Sequence, residues 1–344
     1  MIYIYSRDIN FIPFSIFISL TLENVYDIKN FFVTDFKRID PKNDIVIPFG
    51  VTESQECYNM NIRRALLNKP EIYDLLDNKA TCYQFIKSID IPTIDTHIVK
   101  NSTFENLDRF IGKYDNKSYF ILKEIYSLDS HNLYVKNKFE TIELFNEGNI
   151  DQYVIQPYLD GYSLFNCNLL AVNGDLVEFL VITQSNNYEK DNIFGRNMFE
   201  NERFILDESH PYFNRIVEYS KKIVSETNYS GFSDIEFLCK GNEIFLLEIN
   251  PRVSGQIFTL IDGKPIYIDF LILNYLYYLE TGKTKKKIGK LLEKNSKKYY
   301  NKKPNKTITL TAFNLNRPLK WILIFTILFI IILLLNKIYK TIKG

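Results

Sequence analysis

The chain has 344 residues, 46% of them hydrophobic and 24% charged, which supports a buried core in two or three packed units and excludes a disordered chain. A net charge of +1 excludes the strongly basic signature of a nucleic-acid binder. Four scattered cysteines (Cys57, Cys82, Cys167 and Cys239) and three histidines offer no zinc motif, and the cysteines read as free buried thiols.

"MIYIYS" opens the chain as a strand, and residues 11–20 follow as a buried helix. They do not read as an export signal, because Asp8 precedes them and no small-residue cleavage site follows. "KNFFVTDF" and "NDIVIPFG" read as further strands of a small α/β layer. The last of them ends in Pro48 and Gly50, where a loop facing a ligand belongs. Residues 53–89 are mostly helical by period. "DIPTIDTHIV" is extended, and "YFILKEIY" and "NLYVKN" are two strands joined by "SLDSH". "FETIELFNEG" is a helix closed by Gly148, and "QYVIQPYLDG" a strand ending in Pro157 and Gly161. A hairpin turns at Asn173-Gly174. The polar stretch 184–204 offers Lys190, Arg196 and Arg203 as grips for an anionic substrate, against the plainer reading of solvated loop cations. An amphipathic helix, a second hairpin and a last apolar helix, "PIYIDFLILNYLYYLETG", complete the body, with no internal repeat.

Eleven lysines and one acid, Glu293, lie in residues 283–306. Residues 321–335 are then apolar except for Thr326. Fifteen helical residues span about 22 Å, and Lys320 and Lys337 extend the reach towards a ~30 Å bilayer core by snorkelling. The expectation is a basic linker over 283–317 and a single transmembrane helix over 318–340. The lysine excess assigns a membrane localisation with the catalytic body in the cytoplasm.

The chemistry concentrates in "FSDIEFLCKGNEIFLLEINPRVSG". If Lys240, Gly241 and Asn242 form a three-residue loop, Cys239 pairs with Glu243. Ile235, Phe237, Phe245, Leu247 and Ile249 then share a core face. Asp234, Glu236, Glu248 and Asn250 share the other. A two-residue loop would put Glu236 and Glu248 on opposite faces. Clustered carboxylates call for a cation between them, and an all-oxygen set of two carboxylates and one amide suits Mg²⁺ or Mn²⁺. Such an ion completes its shell with phosphates, so the hairpin points to a nucleotide. Read alone, Glu236 and Glu248 are equally well exposed strand acids. Lys123 ends a strand beside a Ser/Asn-rich turn, and Lys79 is a second cation; both have the plainer reading of surface lysines.

In this order the motifs resemble the ATP-grasp fold over residues 75–282. The matching runs are "LLDNKATCYQFIKSIDIPTID", "YFILKEIYSLDSHNLYV", "YVIQPYLDGYSLFNCNLLAVNGDLV" and "GFSDIEFLCKGNEIFLLEINPRVSG". "EINPRVSG" is most similar to carbamoyl-phosphate-synthase-type members, here as a single ATP-grasp unit without a glutaminase. The resemblance implies an α/β (α+β) chain with a small pre-ATP-grasp α/β domain at 1–74 and the ATP-grasp domain at 75–282, ahead of the linker and membrane helix expected from the residues themselves. It implies that Glu236, Glu248 and Asn250 hold two magnesium (or manganese) ions. Lys79, Lys123 and Ser130 of the following loop would hold ATP phosphates. Gln156 with the backbone of Tyr158 and Leu159 would hold adenine, Asp160 or Ser163 the ribose, and Arg252 the transferred phosphoryl group. The implied reaction is ATP-dependent activation of a carboxylate to an acyl-phosphate for attack by an amine, so the partners are two small molecules and the membrane. Two departures stand out. The loop "SLDSHN" after Lys123 lacks glycine, and the glutamate that often binds the ribose is missing. A degenerate nucleotide-binding scaffold and a small-molecule kinase using the same site remain open alternatives.

Overall fold

The computed structural model of the protein describes residues 1–126, 133–184, 203–258, 260–261, 264–283 and 309–310. An N-terminal layer is built from β1 (Ile2–Tyr5), α1 (Ile12–Tyr26), β2 (Phe31–Val33), β3 (Ile45–Pro48) and α2 (Val51–Asn59). Its three strands are parallel, with β1 in the middle. All four residues of β3 are buried, as a strand covered on both faces requires.

Two short helices lead into the second layer, α3 (Pro70–Asp77) and α4 (Lys79–Ser88). Asn78 caps α4, its side-chain oxygen accepting from the N–H groups of Ala80 and Thr81, so Lys79 opens the helix. The layer continues with β4 (His97–Ile98), α5 (Phe104–Ile111), β5 (Tyr119–Glu124), β6 (Leu133–Asn137), α6 (Lys138–Asn146) and β7 (Tyr153–Pro157). Its antiparallel sheet runs β4-β7-β5-β6. Asn137 and Glu140 close a capping box at the start of α6.

The third layer holds β8 (Ser163–Val172), β9 (Asp175–Gln184), β10 (Arg203–Ile205), α7 (Phe213–Glu226), β11 (Gly231–Lys240) and β12 (Glu243–Asn250). These form a six-stranded sheet in the order β12-β11-β8-β9-β10, completed by the two-residue strand Thr309–Leu310. The β8–β9 hairpin turns at Asn173 (φ 49°) and Gly174 (φ 82°), as expected of an Asn-Gly turn. On one face α7 buries Ile216, Val217, Ile223 and Val224 against the sheet.

On the other face a π turn at Ile268–Ile272 runs into α8 (Leu273–Thr281). This last helix shares a core with the N-terminal layer, where Tyr267, Leu271 and Tyr275 pack with Ile4, Ile18 and Phe49. The Tyr275 hydroxyl donates to the carbonyl of Val46 at 2.6 Å, fastening α8 to β3. All four cysteines are buried and unbridged.

The expected membrane localisation is corrected: among the described residues, no helix is long and apolar enough to cross a membrane. Residues 318–340, on which that expectation rested, lie outside the described residues. So do Ser130, Lys190, Arg196 and nearly all of 283–317.

Candidate active site

The β11–β12 hairpin carries the site, and its register differs from expectation. Lys240 pairs with Glu243, so the loop is the two-residue Gly241-Asn242. Gly241 takes φ 58° at the first central position, which a type II′ turn demands and glycine allows. Continued unchanged, that register would set Glu236 opposite Leu247 and turn Glu248 to the core face. Instead the pairing shifts beyond Phe237–Leu246, and Glu236 stands directly opposite Glu248. Leu247 is the extra residue of a β-bulge, and it returns both acids to one face. The core face is accordingly Ile235, Phe237, Cys239, Ile244, Leu246 and Ile249. Phe245 and Leu247, expected there, pack on the site side with Leu238 and Tyr162.

The site face extends onto β8. Its register sets Asn166 opposite Glu236 and Asn168 opposite Asp234, while Asp234 faces Asn250 on the other side. Two polar rows therefore cross three strands: Asn166–Glu236–Glu248 and Asn168–Asp234–Asn250. The Asn166 amide donates to Asp234 Oδ1 at 3.1 Å and Glu236 Oε1 at 3.3 Å. Asp234 Oδ2 accepts from Ser254 Oγ at 2.8 Å, and Asn250 donates to Glu248 Oε1 at 3.3 Å. Residues Asn166 and Asn168 were missed from the sequence. The signal for them was "FNCN", with polar residues at alternate positions of an apolar strand.

The facing acids are electrically unequal. Burial raises Glu236 well above the usual carboxylate range, and the nearby Glu248 and Asp234 charges push the same way. Burial acts likewise on Glu248, but Lys79, Lys123, the Asn250 hydrogen bond and Arg252 outweigh it and bring its pKa down to about 2. The wall thus carries one carboxylate held ionised and one pressed towards its protonated form.

The opposite wall comes from the small sheet. Lys123, 5% exposed, lies 3.6 Å from Glu248 Oε2. Burial lowers its pKa, opposed by the Glu248 charge. Asp77, Lys79, Lys123, Gln156, Glu248 and Asn250 line one open cleft of about 440 Å³, counted with the solvent space it encloses. Thr93 bridges Leu246 there, joining the segment before β4 to the edge strand β12.

Gln156 donates to Thr96 Oγ1 at 2.9 Å, and its buried Oε1 has no donor among the described residues. Beyond β7 the hinge is more constrained than expected. Tyr158 spends its N–H on the Tyr119 carbonyl at 2.9 Å, so that group is not available to read an adenine edge. Ser163 pairs with Cys239, which the pleat places on the core face away from Glu236. Asp160 is exposed, and its carbonyl accepts from Lys240 at 2.9 Å.

Arg252 leaves the end of β12 towards the N-terminal layer. Its guanidinium lies 5.1 Å over the Phe11 ring and donates to the Val253 carbonyl at 3.2 Å. The Val253 N–H donates to the Phe49 carbonyl, so the loop after β3 meets the site at this point.

The donor set fits a hard divalent cation. Glu236, Glu248 and Asn250 offer oxygen donors, as such an ion takes, while among the described residues no three His, Cys, Asp or Glu side chains are arranged to hold a metal by themselves. The two facing carboxylates, one of them driven up by burial and then by the charge of the other, are a pair that a cation between them would relieve.

Comparison with known proteins agrees with this geometry. The sequence profile of the ATP-grasp domain matches residues 76–256. An uncharacterized protein of Methanocaldococcus jannaschii is 24% identical over 275 residues, which are 79% of this chain and 65% of that protein. The chain therefore spans slightly less than two thirds of that relative's length. Among solved structures, phosphoribosylamine–glycine ligase from Thermotoga maritima superposes with a TM-score of 0.60 at 14% identity, over 83% of this chain and 76% of that one. D-alanyl-alanine synthetase A from Vibrio cholerae gives 0.53 at 16% identity, over 73% and 88%. N5-carboxyaminoimidazole synthetase from Staphylococcus aureus, complexed with ADP, gives 0.53 at 15%, over 74% and 71%. These likenesses carry the fold, and the profile covers more than half of the sequence: the chain belongs to the ATP-grasp domain family.

Proposed function

We propose that the chain is an ADP-forming ligase that activates a carboxylate with Mg-ATP and joins it to an amine. The observation that carries this reading is the placement of Glu236 directly opposite Glu248, with Lys123 3.6 Å from Glu248 across the same cleft. In this reading Lys79 and Lys123 hold the ATP phosphates, together with Ser130 of the loop outside the described residues. Gln156, the Tyr158 carbonyl and the Leu159 backbone hold adenine, and Asp160 is left to meet the ribose. Glu236, Glu248 and Asn250 would hold magnesium (or manganese), two ions in this reading, supplying positive charge to the phosphate oxygens. Arg252 stabilises the phosphoryl group as it passes to the carboxylate oxygen and ADP leaves. The amine then attacks the acyl carbon, loses a proton, and phosphate departs.

Support also comes from the relatives, since the similar structures above are named as a ligase and synthetases and one is complexed with ADP. "EINPRVSG" is the reason to place the chain near the carbamoyl-phosphate-synthase-type members. The division at 74/75 and 282/283 belongs to the same proposal. The test is phosphate release from Mg-ATP with pools of carboxylates and amines, read beside mass spectrometry of the products. An amide formed only when both pools are present, and lost in Glu248→Gln, supports the ligase. A stable phosphate ester would convert the reading to a kinase. Release that survives Glu248→Gln would remove the site assignment.

A further inference from the structure

We infer that Asn166 is a positioning residue for the divalent-ion wall: its amide holds Glu236 in place opposite Glu248. The inference rests on the reading of Glu236 and Glu248 as metal ligands. Asn166 is 3% exposed and sits directly across from Glu236 on the neighbouring strand. Its amide nitrogen reaches two carboxylates at once, Asp234 and Glu236. Its amide oxygen is buried with no donor among the described residues.

A buried acceptor left without a donor is costly, so the orientation needs a reason. Turning the amide over would aim its oxygen at both carboxylates and give up the two hydrogen bonds that its nitrogen makes to them. The acids therefore lock the amide, and the amide in turn fixes Glu236. Asp234 is anchored independently by Ser254, whose Oγ is bound by the Gln256 N–H at 3.1 Å. Asn166 thus ties Glu236 to a braced acid rather than to a loose one. A group that orients a ligand from behind is worth roughly 10- to 100-fold in metal affinity.

The experiment measures Mn²⁺ binding by electron paramagnetic resonance, with and without a non-hydrolysable ATP analogue. The set is the wild-type chain, Asn166→Ala, Glu236→Ala and the double variant, with Asn166→Ser beside Asn166→Ala in case the alanine variant does not fold. The expected result is a dissociation constant about 10-fold or more higher in the Asn166 variant. In the Glu236→Ala background the same change shifts it by less than about twofold, because the group acted upon is gone. Nucleotide affinity in EDTA stays at the wild-type value. Unchanged Mn²⁺ affinity in both Asn166 variants, or an equal loss in the Glu236→Ala background, overturns the inference while leaving the metal site standing. Equally weak binding by the wild type and by Glu248→Gln would remove the metal reading itself, and the inference with it.

Discussion

At the scale of single residues, the site is held in tension by two acids that face one another. Burial and the neighbouring acids penalise ionised Glu236, while the lysines and Arg252 favour ionised Glu248. The two glutamines should therefore behave oppositely in metal-free protein. Glu236→Gln removes the penalised charge and is expected to raise the melting temperature in EDTA near neutral pH by about 2 °C or more. Glu248→Gln strips Lys123 of its partner 3.6 Å away and is expected to lower it. Both are expected to reduce ligase turnover, Glu248→Gln by about 100-fold or more, as loss of a charged group aimed at the reacting phosphate does. Calorimetry in EDTA and phosphate-release assays check the two halves; parallel melting shifts would show that the acids are not opposed. Sequence alone marked Glu236, Glu248 and Asn250, because acids and an amide on alternate strand positions announce a polar face. It did not mark Asn166 and Asn168. Their alternation in "FNCN" shows a polar face on β8, but only the cross-strand pairing shows that it continues the face of the acids.

At the scale of elements, the hairpin shows where local reading stops. The loop was expected to hold three residues and has two, and Phe245 and Leu247 were expected on a core face that holds Ile244 and Leu246; the two strands and the place of the turn were legible. The bulge at Leu247 was not, because one extra strand residue has no composition signal and is chosen by packing on both faces. Two departures, a shorter loop and an added residue, cancelled to leave the acids together. The π turn at Ile268–Ile272 is a second place where packing overrides local rules. It carries Asp269 among the buried side chains Ile268, Leu271 and Ile272, with one carboxylate oxygen buried and without a donor among the described residues. Burial raises its pKa from an ordinary 3.8 to about 6. A raised acid leaves stability intact below the unfolded value and removes it as pH climbs from about 4 to about 6, since the folded state holds the proton more tightly. Asp269→Asn should therefore stabilise the chain at pH 7, by about 1–2 kcal/mol, and have little effect near pH 4. Urea midpoints at the two pH values test this. A gain of equal size at both would show that lost packing, not proton uptake, sets the effect.

At the scale of the whole molecule, the N-terminal layer and the large sheet meet at one side chain. The order strand layer, small sheet and large sheet was readable from motif order, since each motif brings its own strand and turn. How the N-terminal layer docks was not, because that contact is made by residues far apart in the sequence: Phe11 with Arg252, and Phe49 with Val253. Arg252 directly follows the β11–β12 hairpin but is steadied by a ring from the other end of the chain. A guanidinium over an aromatic face gains about 0.5–2 kcal/mol, which limits what the stack can contribute to holding Arg252 in position. Phe11→Leu keeps most of the buried volume beside Phe49 and removes the aromatic face. If Arg252 acts on the transferred phosphoryl group, turnover should fall roughly 2- to 30-fold, the rate equivalent of that energy. Mn²⁺ affinity should stay within about twofold, since Glu236, Glu248 and Asn250 do not touch Phe11. Steady-state rates and Mn²⁺ binding on the same preparation separate the outcomes. A matched loss of both would mean that the N-terminal layer supports the whole hairpin. An unchanged rate would detach Phe11, and the docking of that layer through it, from the chemistry.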